Sequence, residues 1–279
     1  DLVRSRGLGD VYKRQSHDIV QGTNCPIQDE GNNIIAQACY QIAKEFDIEP
    51  YDEHTGKGIL RHVIGRIGQS GWMIILVTAT DHLPHQENWV EKLTDRIPQV
   101  ETIVHNVNSK RTNVILGPKN HILYGEGTIT DHIKDLQFTL SPHSFFQVNP
   151  EQTTVLYDQA LAYADLKGDE TVIDAYCGTG TISLFLAHKA KHVIGIEIVE
   201  PAIINARENA QRNGYDNTEF IVADAAVEMP KLYKAGVRPD VIVFDPIRAG
   251  CKEEVLTSAA GMEPKRIVYV SCNLSLIHI

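Results

Sequence analysis

The feature that most constrains the fold of this chain is the regular alternation of apolar and helical segments after Pro150. Five short segments are rich in Val and Ile: TVIDAY, HVIGIE, EFIVAD, VIVFDP and RIVYVS. Each of them is preceded or followed by a stretch of helical character. Strands that alternate with helices of about 10–15 residues indicate βαβ units. Because these strands show little polar alternation, both faces of their sheet should be covered. The sequence therefore predicts an α/β, doubly wound, mostly parallel sheet.

The half of the chain before Pro150 has a different pattern. Apolar residues recur at three- and four-residue steps within residues 29–48, which predicts a helix, and residues 86–96 show a second helical pattern. The segments ILRHVIGRI and WMIILVTA predict strands joined by the hairpin sequence GQSG. VETIVHNVN and TNVILG predict further short strands. This half is thus expected to form a small α+β domain.

These patterns predict three regions. Residues 1–15 are expected to be a non-native or disordered end, because they match neither pattern. Residues 16–141 are assigned to the α+β central domain, and residues 142–279 to the α/β domain. Both assignments fall within the usual size range of protein domains.

Composition excludes several classes of protein. No apolar run approaches the roughly 20 residues of a membrane span, and no secretory signal opens the chain. The cysteines are odd in number and irregularly spaced, which predicts reduced thiols in a cytoplasmic protein and no zinc site. The net charge of −10 is not the footprint of a nucleic-acid binder. Any RNA contact must come from local basic clusters, although solvated surface charge is the simpler interpretation of Lys57, Arg61, Arg66, Lys110, Arg111 and Lys119.

A nucleoside-cofactor site is predicted at the end of the first two strands of the α/β domain. Asp174 ends the first strand, and a turn containing Gly178 and Gly180 leads into a helix, so backbone and ligand can approach closely. Glu197 ends the next strand and can accept both ribose hydroxyls of an adenosine. With the later Asp224, this pattern resembles that of S-adenosylmethionine-dependent methyltransferases. A doubly wound domain without a cofactor is the competing interpretation.

A carboxylate and a thiol follow two later strands of the same sheet. Asp245 follows VIVF, and Cys272 follows RIVYVS. The carboxyl ends of parallel strands open on the same side of a sheet, so both groups are expected near the cofactor. A lone cysteine after a strand is usually structural, but a thiol in a cofactor site suggests covalent catalysis.

Several stretches together resemble the RNA uracil-C5 methyltransferase family. The matching stretches are SPHSFFQVNP, DAYCGTGTISL, GIEIVEPAI, DPIRAGC and IVYVSCN, with RTNVILG and LYGEGTI in the central domain. The resemblance runs from about residue 17 to about residue 273. It implies that Cys272 is the nucleophile and that Asp224 contacts the adenine side of the cofactor. It also implies cofactor contacts from Gln147, Tyr176, Glu197 and Asp245.

The resemblance also implies a target and a state of assembly. It favours 23S ribosomal RNA over transfer RNA as the substrate, because the central domain lacks cluster cysteines, and it implies a monomer away from membranes. The target base would have to be splayed out of folded RNA. Phe145, Phe146 and Tyr176 offer stacking faces, although core packing explains the two phenylalanines equally well.

The chain departs from the family pattern at three places. Ile247 stands where the family has a second proline in its Asp-Pro-Pro-Arg loop, which loosens the loop and the placement of Asp245. Leu274 follows Asn273, and the family's general-base glutamate and last strands are expected to be absent from this chain. The N-terminal barrel and three of the four cluster cysteines are also expected to be absent, with Cys25 as the candidate remnant, so no metal or iron–sulfur centre is expected.

Two other functions remain open from the sequence. One is an amino-directed methyltransferase, although Arg248 stands where its loop carries an aromatic residue. The other is a catalytically impaired module that only binds cofactor or RNA.

Overall fold

The computed structural model of the chain describes Cys25 and residues 28–111, 114–147 and 149–271. The chain divides into two units, residues 1–131 and residues 132–279. This division lies earlier in the chain than the predicted domain boundary at residue 141. Among the described residues, no helix is both long enough and apolar enough to cross a membrane.

The first unit is a four-stranded sheet with two helices. The strands are ordered β1-β2-β3-β4, with β1 and β2 antiparallel, β2 and β3 parallel, and β3 and β4 antiparallel. The helix α2 makes the crossover between the two parallel strands. The elements are α1 (Glu30–Glu45), β1 (Leu60–Ile67), β2 (Trp72–Thr78), α2 (Gln86–Arg96), β3 (Val100–Val107) and β4 (Lys119–Tyr124).

Both helices of the first unit pack into one apolar core. Ile35 and Ile42 of α1 and Trp89 of α2 are buried together with Ile74 and Leu76 of β2. The three- and four-residue spacing on α1 and the two-residue spacing on β2 place these side chains on single faces. The structure thus confirms the predicted helices and hairpin of an α+β unit.

The prediction of a strand at TNVILG is wrong for residues 114–117, the part of this segment that the structure describes. Residues 114–117 form a loop, and the strand β4 begins at Lys119. The amide of Asn106 donates to the carbonyl of Gly117, and that of Asn108 donates to the carbonyls of Val114 and Ile115, at 2.8, 2.7 and 3.0 Å. Side chains therefore satisfy the backbone groups that a strand partner would otherwise bind.

The second unit contains a five-stranded parallel sheet in the order β11-β10-β7-β8-β9. A two-stranded sheet of β5 (Ile129–Ile133) and β6 (Leu136–Leu140) and the helix α3 (Pro150–Ala164) precede it. The alternating elements are β7 (Thr171–Asp174), α4 (Thr181–Ala187), β8 (His192–Glu197), α5 (Glu200–Arg212), β9 (Thr218–Val222), α6 (Ala225–Lys234), β10 (Val241–Phe244), α7 (Glu253–Gly261) and β11 (Arg266–Tyr269).

Helices cover both faces of this sheet. Ile173, Ile194 and Phe244 face α6 and α7, where they pack with Met229 and Val255. On the opposite face, Gly195 lies against Phe220, and Phe220 in turn lies near Ala206 of α5. The chain order reverses between β7 and β10, which is where open α/β sheets bind their ligands. The structure confirms the predicted doubly wound, Rossmann-like fold.

Candidate cofactor site

The turn between β7 and α4 depends on two glycines in the left-handed region. Gly178 has φ of 55° and Gly180 has φ of 82°. A Cβ atom on Gly180 would lie 3.1 Å from Cβ of Ala206 and 3.2 Å from the Phe220 ring, whereas one on Gly178 would meet open space. Gly180 thus permits close packing of the turn, and Gly178 leaves room for a ligand against the backbone.

Glu197 is fixed beside this turn. Its carboxylate accepts hydrogen bonds from the backbone N–H of Gly178 at 3.2 Å and of Val199 at 2.9 Å. Two hydrogen bonds restrict the side chain before any ligand arrives, so its remaining acceptor sites have a defined direction. Ile198, the next residue, is 63% exposed although it directly follows a buried strand. An apolar residue directly after a strand-ending acid is the sequence signal by which Ile198 could have been found.

Asp224 has a structural role of its own. Its side chain caps α6 by accepting a hydrogen bond from the N–H of Ala226 at 2.9 Å. The Lys252 ammonium lies 2.8 Å from the other carboxylate oxygen. The bonds from Lys252 and Ala226 lower the pKa of Asp224. Its contact with the adenine stays a prediction.

Asp174 is fully buried at the end of β7, although the sequence marked it only as a strand end. One carboxylate oxygen accepts a hydrogen bond from the hydroxyl of Ser183 at 2.7 Å. Burial, with smaller contributions from the charges of Asp245 and Glu197, raises the pKa of Asp174 to about 7. Asp174 is thus influenced by the acidic residues of the site, although its own side chain does not face solvent.

Gln147 and Asp245 both lie near Tyr157, a residue of α3 that the sequence did not indicate. The Tyr157 hydroxyl is hydrogen-bonded to Oγ1 of Thr181 at 3.1 Å and to the side chain of Gln147. Burial, with a smaller contribution from the negative charge of Asp245, raises the pKa of Tyr157 to about 12. Burial also raises the pKa of Asp245 to about 6. The structure therefore brings these predicted residues to the start of α4.

Tyr176 lies on the α6–α7 side of the sheet. Its ring centroid is 6.5 Å from that of Phe244, and its side chain packs, like that of Cys251, against the apolar core that α6 and α7 form with the sheet. Burial, followed by the neighbouring Cys251, raises the pKa of Tyr176 above its ordinary value. Of the two phenylalanines, Phe145 is 72% exposed, whereas the Phe146 ring is half-buried and lies 5.8 Å from that of Phe138. Phe145 alone offers an open face.

Cys272 lies outside the described residues, as does Asn273. The strand β11 ends at Tyr269, which pairs with Phe244 of β10, the residue before Asp245. Within the part of the chain that the structure describes, no group of three or more acidic, histidine or cysteine side chains could hold a metal ion.

The basic clusters of the first unit are partly structural. The Arg61 guanidinium donates to the backbone carbonyls of Asn108 at 2.6 Å and of Lys110 at 2.8 Å. These two bonds stabilise the loop that contains Asn108 and Lys110. Lys119 forms an ion pair with Asp81. Four basic side chains of these clusters are exposed: Lys57, Lys110, Arg111 and Lys119.

The sheet order, the glycine turn and the acidic strand ends define the class of fold as that of Rossmann-like methyltransferases. A family model described as a methyltransferase domain matches residues 166–274. An uncharacterized RNA methyltransferase of Halalkalibacterium halodurans is 52% identical over 268 residues, which are 95% of this chain and 58% of that protein. Another, of Oceanobacillus iheyensis, is 50% identical over 269 residues, which are 95% of this chain and 59% of that protein. The chain therefore spans less than two thirds of the length of these relatives.

A solved structure shares the fold over most of the chain. It is the tRNA (uracil-54, C5)-methyltransferase of Pyrococcus abyssi in complex with S-adenosyl-L-homocysteine. The two are similar with a TM-score of 0.76 and 26% sequence identity, over 92% of this chain and 61% of that one.

Proposed function

We propose that this chain is part of an S-adenosylmethionine-dependent RNA methyltransferase that modifies C5 of a uridine. The methyltransferase-domain match and the relative with bound S-adenosyl-L-homocysteine support S-adenosylmethionine as the cofactor, as expected from the sequence. The observation that carries the proposal is the Glu197 carboxylate at the end of β8, fixed by the N–H groups of Gly178 and Val199 beside β7, one of the two strands between which the chain order reverses. Such a carboxylate suits the ribose hydroxyls of an adenosine.

The other residues of the site have complementary roles in this proposal. Ile198 is exposed beside Glu197 and offers an apolar surface to the adenine ring. Gly178 leaves the space that the nucleoside needs. Gln147, Tyr176 and Asp245 would hold the methionine end, where the half-buried Asp245 carboxylate favours a positive charge.

The target carbon determines which chemistry the chain must supply. Bound S-adenosylmethionine supplies an electrophilic methyl group, but C5 of uracil is too weak a nucleophile to accept it unaided. In the proposed mechanism the Cys272 thiolate adds to C6, and the electron pair of the C5–C6 bond becomes available at C5. After C5 is methylated, a base removes the C5 proton, and the electrons of that C–H bond re-form the double bond and expel the thiolate.

For the RNA we propose 23S ribosomal RNA, because the central domain lacks the cysteine set of cluster-bearing members. Transfer RNA is the second candidate, and the similarity to a tRNA (uracil-54, C5)-methyltransferase favours it. The relatives at about 50% identity are named RNA methyltransferases without a specified target.

Substrate RNA with 5-fluorouridine tests the proposal. Fluorine at C5 blocks the last elimination, so attack followed by methyl transfer should leave the protein covalently bound to RNA in a denaturing gel. The adduct should form with the unmodified chain and with Cys25→Ala, and it should be absent with Cys272→Ala. An adduct that persists in Cys272→Ala would assign another nucleophile, and methylation of RNA without any adduct would refute the covalent route. Parallel 23S fragments and tRNA transcripts distinguish the two targets.

A further inference from the structure

We infer that Asn209 is a positioning residue of the cofactor site, because its side chain holds the backbone of the glycine turn between β7 and α4. Nδ2 of Asn209 donates to the carbonyl of Thr179 at 3.1 Å, and Oδ1 accepts a hydrogen bond from the backbone N–H of Thr139 in β6 at 2.7 Å. Asn209 and both of these bonds are buried. The two partners bind opposite ends of the amide group, so the side chain has one orientation that satisfies both.

The Thr179 carbonyl belongs to the peptide group that joins Thr179 to Gly180. The N–H of the same peptide group donates to the carbonyl of Cys177 at 2.8 Å. Gly178 and Gly180, on either side of Thr179, have positive φ, and glycine changes its backbone angles at little cost. A turn with two such glycines can rotate the peptide group between them unless its polar atoms are bound. Asn209 binds the carbonyl end, and the backbone of the turn binds the N–H end.

The consequence for the site lies in the neighbouring Gly178. Its N–H donates to the Glu197 carboxylate at 3.2 Å, so a rotation within the turn would displace one of the two donors that fix the proposed ribose contact. A Cβ atom on Gly178 would meet open space, which is where the nucleoside is proposed to lie. Asn209 thus acts on the cofactor indirectly, through the backbone of the turn. Binding is tighter when a site is organised before its ligand arrives.

The helix that carries Asn209 offers a matched comparison, because three asparagines recur along it at four-residue steps and therefore share one face. We call these residues the asparagine ladder: Asn205, Asn209 and Asn213. Asn213 accepts a hydrogen bond from the N–H of Gln137 in β6 and donates to its carbonyl, at 2.9 and 2.7 Å. Asn205 accepts a hydrogen bond from the hydroxyl of Ser144 at 2.9 Å. In the part of the chain that the structure describes, Asn209 alone of the three is also bonded to the glycine turn.

This inference rests on the proposed placement of the cofactor beside the turn, and S-adenosylmethionine binding by calorimetry tests it on the chain as it stands. Asn209→Ala removes the bond to Thr179 and should weaken binding about 5-fold, the effect of one ordinary hydrogen bond. Asn209→Leu removes the same bond with a side chain of similar size, so it leaves no void and should bind as weakly. Asn213→Ala is the matched control: it loses its bonds to β6 and none to the turn, so its affinity should lie within about 2-fold of the parent chain.

Hydrogen–deuterium exchange separates positioning from simple stability. Each variant is measured at a temperature at which circular dichroism shows it to be fully folded, since a lower free energy of unfolding then leaves the measured affinity unchanged. Peptides covering residues 174–182 should exchange faster in both Asn209 variants than in the parent chain, and at the parental rate in Asn213→Ala. If Asn209→Ala does not fold, Asn209→Leu decides. Parental affinity or parental exchange at the turn in the folded Asn209 variants would overturn the inference, and so would equal weakening in Asn213→Ala.

Glu197→Ala makes this failure distinguishable from failure of the proposed function. If Glu197→Ala loses binding while the folded Asn209 variants keep it, the cofactor site stands and the role of Asn209 falls. If Glu197→Ala binds like the parent chain, the placement of the cofactor is wrong, and the role of Asn209 falls with it. Weaker binding in Glu197→Ala and in both Asn209 variants, with parental binding in Asn213→Ala, is the result that supports both proposals.

Discussion

The hydroxyl of Ser183 donates a hydrogen bond of 2.7 Å to the carboxylate of Asp174 in the interior of the second unit. Ser183 stands three residues after Gly180, where the dinucleotide fingerprint G-x-G-x-x-G has its last glycine. That glycine allows a helix and a strand to pack closely. In this chain a small side chain fits the same place and also joins α4 to the end of β7.

Ser183→Ala should lower the free energy of unfolding by about 1–3 kcal/mol, because it removes a hydrogen-bond donor from a buried carboxyl group. Ser258→Ala is a suitable control. Ser258 is also buried, but its hydroxyl donates to the carbonyl of Glu254 within α7, so its loss should cost about 1 kcal/mol or less. Urea unfolding of both variants measures the difference, and equal losses would contradict the special role of the Ser183 bond.

Asp174 should make the chain less stable as the pH rises from about 4 to about 7. Burial raises its pKa from 3.8 to about 7, so in this window the folded chain holds a proton that the unfolded chain releases. The contribution is complete below pH 3.8 and is lost as the pH rises through about 7. Asp174→Asn should remove a slope of up to about 1.4 kcal/mol per pH unit.

Asp240→Asn is the control of opposite sign for this pH dependence. Bonds from Lys265 and from the N–H of Thr171 lower the pKa of Asp240, so its stabilisation is present above the unfolded pKa and is lost on acidification. Stability curves of the two variants from about pH 2 to about pH 8 should therefore differ from the parent curve with slopes of opposite sign, between about pH 4 and 7 for Asp174→Asn and below about pH 4 for Asp240→Asn. Slopes of the same sign would contradict the assignment for Asp174.

Glu197→Ala should weaken S-adenosylmethionine binding at least about 10-fold, since hydrogen bonds to a charged group contribute roughly 1.5–3 kcal/mol. Glu219→Ala tests whether loss of any nearby carboxylate has the same effect. Glu219 lies on the neighbouring strand β9, where its exposed side chain is 3.7 Å from His192. Calorimetry should show parental affinity for Glu219→Ala, and equal weakening of both variants would indicate a general effect of charge.

Gly180→Ala should destabilise the chain more than Gly214→Ala does. Both glycines have positive φ, 82° and 74°, so alanine is strained at either position by about 1 kcal/mol or more. At Gly180 the new methyl group would also lie 3.1 Å from Cβ of Ala206, whereas at Gly214 it would meet open space. Chemical unfolding of the two variants isolates the cost of the close contact.

The sequence predicted the periodic elements of the fold because their signal is local. Strand HVIGIE and the helix of residues 86–96 have the predicted bounds, since apolar spacing and the flanking residues determine both. TNVILG was misassigned because its apolar residues suggested a strand, whereas Asn106 and Asn108 bind the backbone of residues 114–117 from another part of the chain. The domain boundary and the individual site roles remain predictions.

The predicted site residues came from a topological rule and from the family resemblance, and both favour residues at strand ends. Glu197 and Asp245 could be found in this way, because each directly follows or ends a parallel strand. Tyr157 could not, since its place in the site depends on a hydrogen bond to Thr181, a side chain far away in the sequence. Such partners have no periodic signal, and only the folded chain brings them together.

The loop after β10 is packed at its two ends and exposed in its middle. Pro246 is buried and Cys251 packs against the core that α6 and α7 form with the sheet, whereas the Ile247 side chain between them is 77% exposed. The Ile247 side chain therefore contributes little to the packing that holds this loop. A different side chain at position 247 should leave the packed neighbours of Asp245 undisturbed, so substitutions there should be well tolerated.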